Sequence, residues 1–231
     1  MVTDKRSAVT IRAILIAGFT AFISTASFAQ DYRYGLYLSP MISWFGTDVD
    51  NISNKGARAG FGASITAERH LTDNWYFSSG LGFSSVSGRL VNSSASFFRF
   101  SDHTSTIPEG EPIIYRLQYL SIPVGMKIKT TETGYLVYFA EFGLDPKVAI
   151  SRRVDIPSIS VEGKRAAGEI KSLNTGYHIS GGAEYSIDGN ASLILGIGFE
   201  SNIFDTTRDY ETNESDRSTQ RMVKFIFGIN F

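Results

Sequence analysis

The residues in this chain best placed to do chemistry are a histidine, a serine and carboxylates at even spacings. His178, Ser180 and Glu184 fall on one face of an extended strand, where side chains repeat every two residues. A histidine beside a serine hydroxyl can act as general base for acyl hydrolysis, with a carboxylate to orient the ring. The same three residues also suit a hydrated polar cluster with no chemistry of its own. Glu141, Asp145 and Lys147 share a parity too, and ion pairing accounts for them better than an acid–base site does. The carboxylates Asp205, Asp209, Glu211, Glu214 and Asp216 lack the fixed ligand spacing and the glycine of a calcium loop, so they read as a solvated loop tip. Gly80-x-Gly82 and Gly196-x-Gly198 lie inside alternating segments with no helix to follow, which excludes phosphate-binding loops. His70 stands at a short turn and His103 in a loop, as interfacial and solvated residues respectively. The expectation is a protein without catalysis, cofactor or metal.

Composition narrows the scaffold that carries these residues. The chain has 231 residues, 22 Lys and Arg against 23 Asp and Glu, and no cysteine. That balance argues against a broad basic face for nucleic acid. The lack of cysteine excludes disulfides, thiolate metal sites and a thiol nucleophile. Mean hydropathy is −0.04, far too polar for a bundle of membrane-spanning helices. Charged residues are only 19%, while aromatics reach 13% with 22 glycines, which suits a sheet with one face in lipid and one in water. Residues 1–12 carry Lys5, Arg6 and Arg12, residues 13–23 are apolar, and Ser27-Phe28-Ala29 has small residues at the −3 and −1 positions of a cleavage site. This pattern predicts a secretory signal peptide over residues 1–29, leaving residues 30–231 as the exported domain.

Beyond residue 30 the pattern is period-two alternation broken by turn residues. Eight segments show it: 34–45, 57–68, 75–87, 113–129, 135–150, 174–187, 191–204 and 220–231. Leu36, Leu38, Ile42 and Trp44 oppose Gly35, Ser39 and Ser43; Phe61 and Ile65 oppose Gly60, Gly62 and Ser64; Leu195 and Ile197 oppose Gly196 and Gly198. In residues 113–129 the alternation set by Leu120, Ile122 and Val124 leaves Tyr115, Leu117 and Tyr119 on the opposite phase, and a β-bulge there is expected to reconcile the halves. Connections are tight after segments 2, 4 and 6, where Thr72-Asp73-Asn74, residues 130–134 and Asp188-Gly189-Asn190 are turns, and long after the others. Residues 88–112, 151–173 and 205–219 read as long polar loops.

Sorting of short and long connections to opposite ends is what a transmembrane barrel does. In lipid every backbone polar group must be paired, so the sheet has to close. The fold class predicted is therefore all-β: an eight-stranded antiparallel up-and-down transmembrane β-barrel preceded by a cleaved signal peptide, integral in the cell outer membrane with both termini periplasmic. Eight strands leave a lumen that side chains nearly fill, which disfavours a diffusion pore. The polar face supplies an interior set of Arg58, Glu68, Lys127, Glu141, Asp145, Lys147, Glu184, Glu200 and Lys224, expected to form ion pairs with water among them. Trp44, Trp75, Tyr76, Tyr135, Tyr138 and Tyr185 near strand ends are expected as interfacial aromatic girdles.

Two stretches carry a family resemblance. Residues 117–127, with Tyr119-Leu120-Ser121-Ile122-Pro123 at their centre, resemble the "YLxIP" strand of PorT-like outer-membrane β-barrel proteins, a fold also shared with barrels of the OmpA and OmpX type. The strands containing Gly80-Leu81-Gly82-Phe83 and Gly181-Gly182-Ala183-Glu184-Tyr185 fit the same pattern. Some members of that family are linked to protein secretion, a role that fold alone does not transfer. Phe225, Phe227, Ile229 and Phe231 resemble the C-terminal signal read by the barrel-assembly machinery. The partners this implies are that machinery and periplasmic chaperones during biogenesis, then outer-membrane lipid and lipopolysaccharide around a monomer. His178-x-Ser180 also resembles the His-x-Ser of outer-membrane lipid A deacylases, so the alternative function is a lipid A-modifying hydrolase using His178 and Ser180. The departure from that family is that the twelfth residue past Ser180 is Ser192, not an acid.

Overall fold

Alternation at period two produces strands almost throughout. The computed structural model describes residues 32–47, 52–93, 96–99, 104–166, 168, 170–188, 191–207 and 218–231. Residues 1–29, where a signal peptide is expected, lie outside them. The strands in chain order are β1 (Tyr32–Thr47), β2 (Ile52–Asn54), β3 (Arg58–Thr72), β4 (Trp75–Asn92), β5 (Ser96–Arg99), β6 (Thr104–Ile107), β7 (Pro112–Ser121), β8 (Val124–Lys129), β9 (Leu136–Ile156), β10 (Val161–Arg165), β11 (Leu173–Asp188), β12 (Ala191–Asn202) and β13 (Ser218–Asn230). No helix among the described residues is long and apolar enough to cross a membrane, which leaves crossing by strands open.

Eight staves form a closed antiparallel ring: β1, β3, β4, β7 with β8, β9, β11, β12 and β13. The last closes on the first from Gly35↔Asn230 to Thr47↔Ser218, and Tyr34 exchanges both backbone hydrogen bonds with Phe231 at 3.0 and 2.9 Å. No edge strand remains in the ring, which is the condition for crossing lipid. β7 and β8 are one stave interrupted at Ile122-Pro123, because proline has no N–H for the ladder. Ile122 N–H instead donates to the Pro146 carbonyl at 2.9 Å. The connection from β3 to β4 is closed by Asp73 in the left-handed region, at φ 42°. In the β8–β9 turn Gly134 adopts φ 69°, a conformation that favours glycine.

The outer face is the apolar parity. Leu38, Phe61, Ile65, Leu81, Phe142, Ile179, Leu195 and Phe227 are all exposed, and among the described residues more large hydrophobic side chains lie exposed than buried. On a protein surrounded by water this would be a severe aggregation liability; around a barrel it is a lipid belt. Leu195 sits mid-stave at 61% exposure beside Phe227, so Leu195→Arg is expected to cost about 2–4 kcal/mol in bilayer unfolding titrations. Gly196→Ala should instead act by crowding, since a Cβ there would lie 2.9 Å from the Gly181 carbonyl oxygen. An unchanged unfolding midpoint for Leu195→Arg would reverse the two faces.

The inward face departs from the simple polar expectation. Its loop-end half is an apolar core of Met41, Phe45, Val86, Leu90, Tyr115, Leu117, Tyr119, Val154, Ile156 and Met222. Tyr115, Leu117 and Tyr119 keep the same inward parity as Lys127 and Lys129, so β7 itself carries no bulge. The irregularity lies across from it in β9, where Gln118 pairs with Ser151 and Tyr119 with Ala149, leaving Ile150 extra. A β-bulge leaves one residue unpaired on one strand only. Nor are residues 88–112 and 151–173 simply polar loops. β4 and β9 run on to Asn92 and Ile156, β5 and β6 form a hairpin, and Phe98, Ile107, Val161 and Ile170 fold their side chains into the same core. A Cβ at Gly88 would overlap the Phe45 ring, so glycine there lets Phe45 fill the lumen.

Candidate functional site

Beneath the apolar core, toward the end with the tight turns, the lumen holds a ladder of ion pairs. Arg33 of β1 meets Glu184 of β11 at 3.2 Å, and Lys129 of β8 reaches Glu184 at 2.7 Å and Glu68 of β3 at 2.6 Å. Lys127 bridges Glu68 and Glu141, the latter at 3.2 Å, and Glu141 also accepts from Ser78. Glu200 of β12 holds Lys147 and Lys224 at 2.5 Å each. His178 Nδ1 lies 2.8 Å from Asp145 and Nε2 lies 3.8 Å from Glu141. Arg33 and the four lysines match Glu68, Glu141, Asp145, Glu184 and Glu200 in number, so the ladder needs no counter-ion from outside. Aromatic faces complete it: Lys127 lies 4.7 Å from the Phe139 ring centre, Lys129 4.6 Å from Tyr76 and Lys147 5.3 Å from Tyr119. Tyr119 therefore marks the boundary between charged lumen and apolar plug.

A cavity of about 130 Å³ remains among these groups, lined in part by Ser39, Ser64, Lys127, Glu141, His178 and Glu200. The charged and hydroxyl groups on its wall give water the polar partners it needs there. Among the described residues no group of three or more His, Asp or Glu is placed to hold a metal ion.

Eight of the nine charged residues expected inside are brought together by this ladder. The ninth, Arg58, is not. It opens β3 at the loop end, away from the ladder, and lines a basic cleft with Lys55 and Arg89. Glu184 is not beside His178 either: it serves Arg33 and Lys129, while Asp145 takes the imidazole. His178 and Ser180 share the inward face, His178 buried and Ser180 half-buried, and among the described residues His178 is bonded to carboxylates and not to Ser180. Arg33 and Lys129 belong to the site without having been singled out. Arg33 has the parity of Gly35 and Ser39, and Lys129 that of Lys127, which is the signal that finds them.

At the turn end Trp75, Tyr135, Tyr138 and Tyr185 are exposed on the outer face, with Tyr135 and Tyr185 ring centres 6.0 Å apart. Trp44 faces outward at the loop end, 6.4 Å from Phe199. Tyr76 departs from the expected girdle: it has the inward parity of Ser78 and packs on Lys129. Phe225, Phe227, Ile229 and Phe231 are exposed along one outer stripe. His70 bonds the Asp73 carbonyl at 2.8 Å within its turn. His103, Asp209, Glu211, Glu214, Asp216, Gly189 and Asn190 lie outside the described residues; Asp205 is half-buried.

A closed ring of eight staves with a lipid-facing belt defines an outer-membrane barrel, and comparison with known proteins agrees. The family model described as "Outer membrane protein beta-barrel domain" matches residues 28–208. The chain belongs to that family and is an integral protein of the outer membrane. Neisserial surface protein A, NspA, is similar in fold with a TM-score of 0.50 at 12% identity, over 86% of this chain and 95% of that one. OprG from Pseudomonas aeruginosa gives 0.44 at 10% identity over 87% and 94%, and Ail of Yersinia pestis gives 0.38 at 13% over 87% and 100%. No curated protein matches the chain in sequence.

Proposed function

We propose that this protein is a closed, non-catalytic outer-membrane barrel whose role is structural or adhesive, exercised by the loop end on the outside of the cell. The observation that carries this reading is the double closure of the lumen. Phe45, Leu117, Tyr119 and Met222 fill it at the loop end, and the ion-pair ladder fills it toward the turn end. The folded loops support the adhesive part, since Phe98, Ile107, Val161 and Ile170 tie them to the barrel core and give the outer end a fixed surface. A non-catalytic role is supported by His178, which is held by Asp145 on the lumen side, away from the lipid face. Within the family we read the chain as PorT-like, on Tyr119-Leu120-Ser121-Ile122-Pro123, whose Ile122-Pro123 step interrupts the β7–β8 stave. Assembly through the exposed stripe Phe225, Phe227, Ile229 and Phe231, as a monomer in lipopolysaccharide-containing membrane, belongs to the same reading.

The test is twofold. The full mature barrel in planar bilayers should show no stepwise ion conductance. Lipid A from cells overproducing it should have the same acyl composition as lipid A from cells producing Ser180→Ala or His178→Ala. Acyl loss that depends on Ser180 would replace this reading with the hydrolase, and steady conductance would replace it with a channel.

A further inference from the structure

We infer that the apolar plug is wet along one flank, with an ordered water site between the side-chain amides of Asn202 and Gln220 through which the cavity below exchanges water with the loop end. Neither the orientation of the barrel nor an adhesive role bears on it. Within the ring, the apolar side chains of the plug come from β1, β4, β7 and β9, and Met222 alone from β11, β12 and β13. Those last three staves keep a polar inner face over the same height. β11 rises from His178 through Gly176 to Asn174, β12 from Glu200 to Asn202, and β13 from Lys224 past Met222 to Gln220 and Ser218. Their polar side chains are all buried except Lys224, which is half-buried. The register Glu200↔Met222 and Ser201↔Arg221, carried one pair further, sets Asn202 beside Gln220. On its other side Gln220 lies directly opposite Phe45 of the plug.

Much of this flank is satisfied by the protein itself. Asn174 donates to the Phe204 carbonyl at 3.1 Å, Asn202 Nδ2 donates to Thr206 Oγ1 at 3.2 Å, and Thr207 and Ser218 share a hydrogen bond at 2.9 Å. Three groups at the plug are not: Asn202 Oδ1, both ends of the Gln220 amide, and the Tyr119 hydroxyl have no protein partner. Gln220 is fully buried and Asn202 is 3% exposed, so neither reaches bulk solvent. Buried polar groups that the protein leaves unpaired are where internal waters sit. The mixture of groups selects water over an ion. Gln220 Nε2 needs an acceptor, while Gln220 Oε1 and Asn202 Oδ1 need donors. A cation would serve the oxygens and leave the N–H groups bare, and an anion would do the reverse. Water both donates and accepts, and exchanging the two ends of the Gln220 amide leaves the requirement unchanged. Tyr119 stands between this site and the cavity, its ring 5.3 Å from Lys147 Nζ. Single waters handed between buried groups do not make an open pore, so ions stay excluded.

The experiment uses the mature barrel refolded in nanodiscs, with isotope-labelled Asn and Gln side chains for NMR. The Gln220 amide protons should show cross-relaxation from water with opposite signs in the laboratory and rotating frames, which separates a held water from simple proton exchange. Absence of that signal in wild type would overturn the site. Stability reads it independently. If Gln220 and Asn202 share water, Gln220→Met leaves Asn202 Oδ1 bare and lowers the denaturant midpoint, and Asn202→Leu/Gln220→Met recovers part of the loss. A dry pair gives the reverse: Gln220→Met then removes a buried amide that nothing satisfies, and a raised midpoint would overturn the site. The route is read from the His178 ring N–H, whose exchange with deuterium oxide should be about tenfold slower in the double variant than in wild type. Equal rates would mean that the cavity is supplied from the turn end, and would overturn the route past the plug. Heat-modifiable migration checks that each variant is folded; if the double variant does not fold, Gln220→Met alone gives the exchange readout, and the wild-type cross-relaxation needs no variant.

Discussion

Replacing Glu200 with leucine should destabilise the folded barrel by about 3–5 kcal/mol, because it strips the buried Lys147 and the half-buried Lys224 of the carboxylate that holds both. Glu200 is 6% exposed and is held by Lys147 and Lys224 at 2.5 Å each, with Lys147 itself buried. The measurement is reversible denaturant unfolding in phospholipid vesicles. The companion variant replaces all three with methionine. Breaking a buried pair from one side is far worse than replacing the whole set with apolar groups of similar volume, so the triple should regain most of what the single loses. The competing view is that cavity water hydrates the lysines well enough to make Glu200 dispensable, since the same cavity of about 130 Å³ borders all three residues. A loss below about 1 kcal/mol for Glu200→Leu would favour water; a loss in both variants would point to shape and not to charge.

The outer wall was legible because lipid and lumen impose opposite chemistry on alternate residues. Leu195 beside Gly196, and Phe142 beside Glu141, leave no doubt about which side faces lipid. The inner wall was legible only where it is polar. At Tyr115, Leu117 and Tyr119 the inward residues are as apolar as the outward ones, and reading by chemistry forces a change of phase that does not occur. Strand parity is stricter than residue type here: an unbroken odd count from Lys129 back to Ile113 places all three tyrosine and leucine side chains inside. The loops failed for a related reason. Val154, Ile156, Val161 and Ile170 are scattered among Arg152, Arg153, Asp155, Glu162 and Lys164, so no periodicity marks them. Only the pairing of β9 with β10 and the closure onto Phe98 and Ile107 shows that they share a core. The ladder itself depends on partner choice across the lumen, which parity cannot supply. It gives Glu184 and His178 the same face, while tertiary register hands one to Lys129 and the other to Asp145.

That unexpected apolar plug carries the second large effect. Phe45→Ala should cost about 3–5 kcal/mol, the range for removing a large aromatic from a packed interior that cannot collapse around the gap. Phe45 is 1% exposed, its ring lies edge-on to Tyr115 with centres 5.4 Å apart, and Gly88 fits against its other side. A closed ring of hydrogen-bonded staves resists moving inward, so relaxation has to come from side chains alone. The cost should appear in vesicle unfolding titrations, and Gly88→Ala, which crowds the same contact from the opposite strand, should destabilise as well. Conductance separates two views of the plug. If the plug and the ion-pair ladder are seals in series, Phe45→Ala remains electrically silent, because Lys127, Lys129, Glu68 and Glu184 still close the lumen toward the turns. A less stable but silent barrel is the expected outcome. Ion flow through folded Phe45→Ala would mean that the ladder admits ions and that the apolar plug alone keeps this barrel shut.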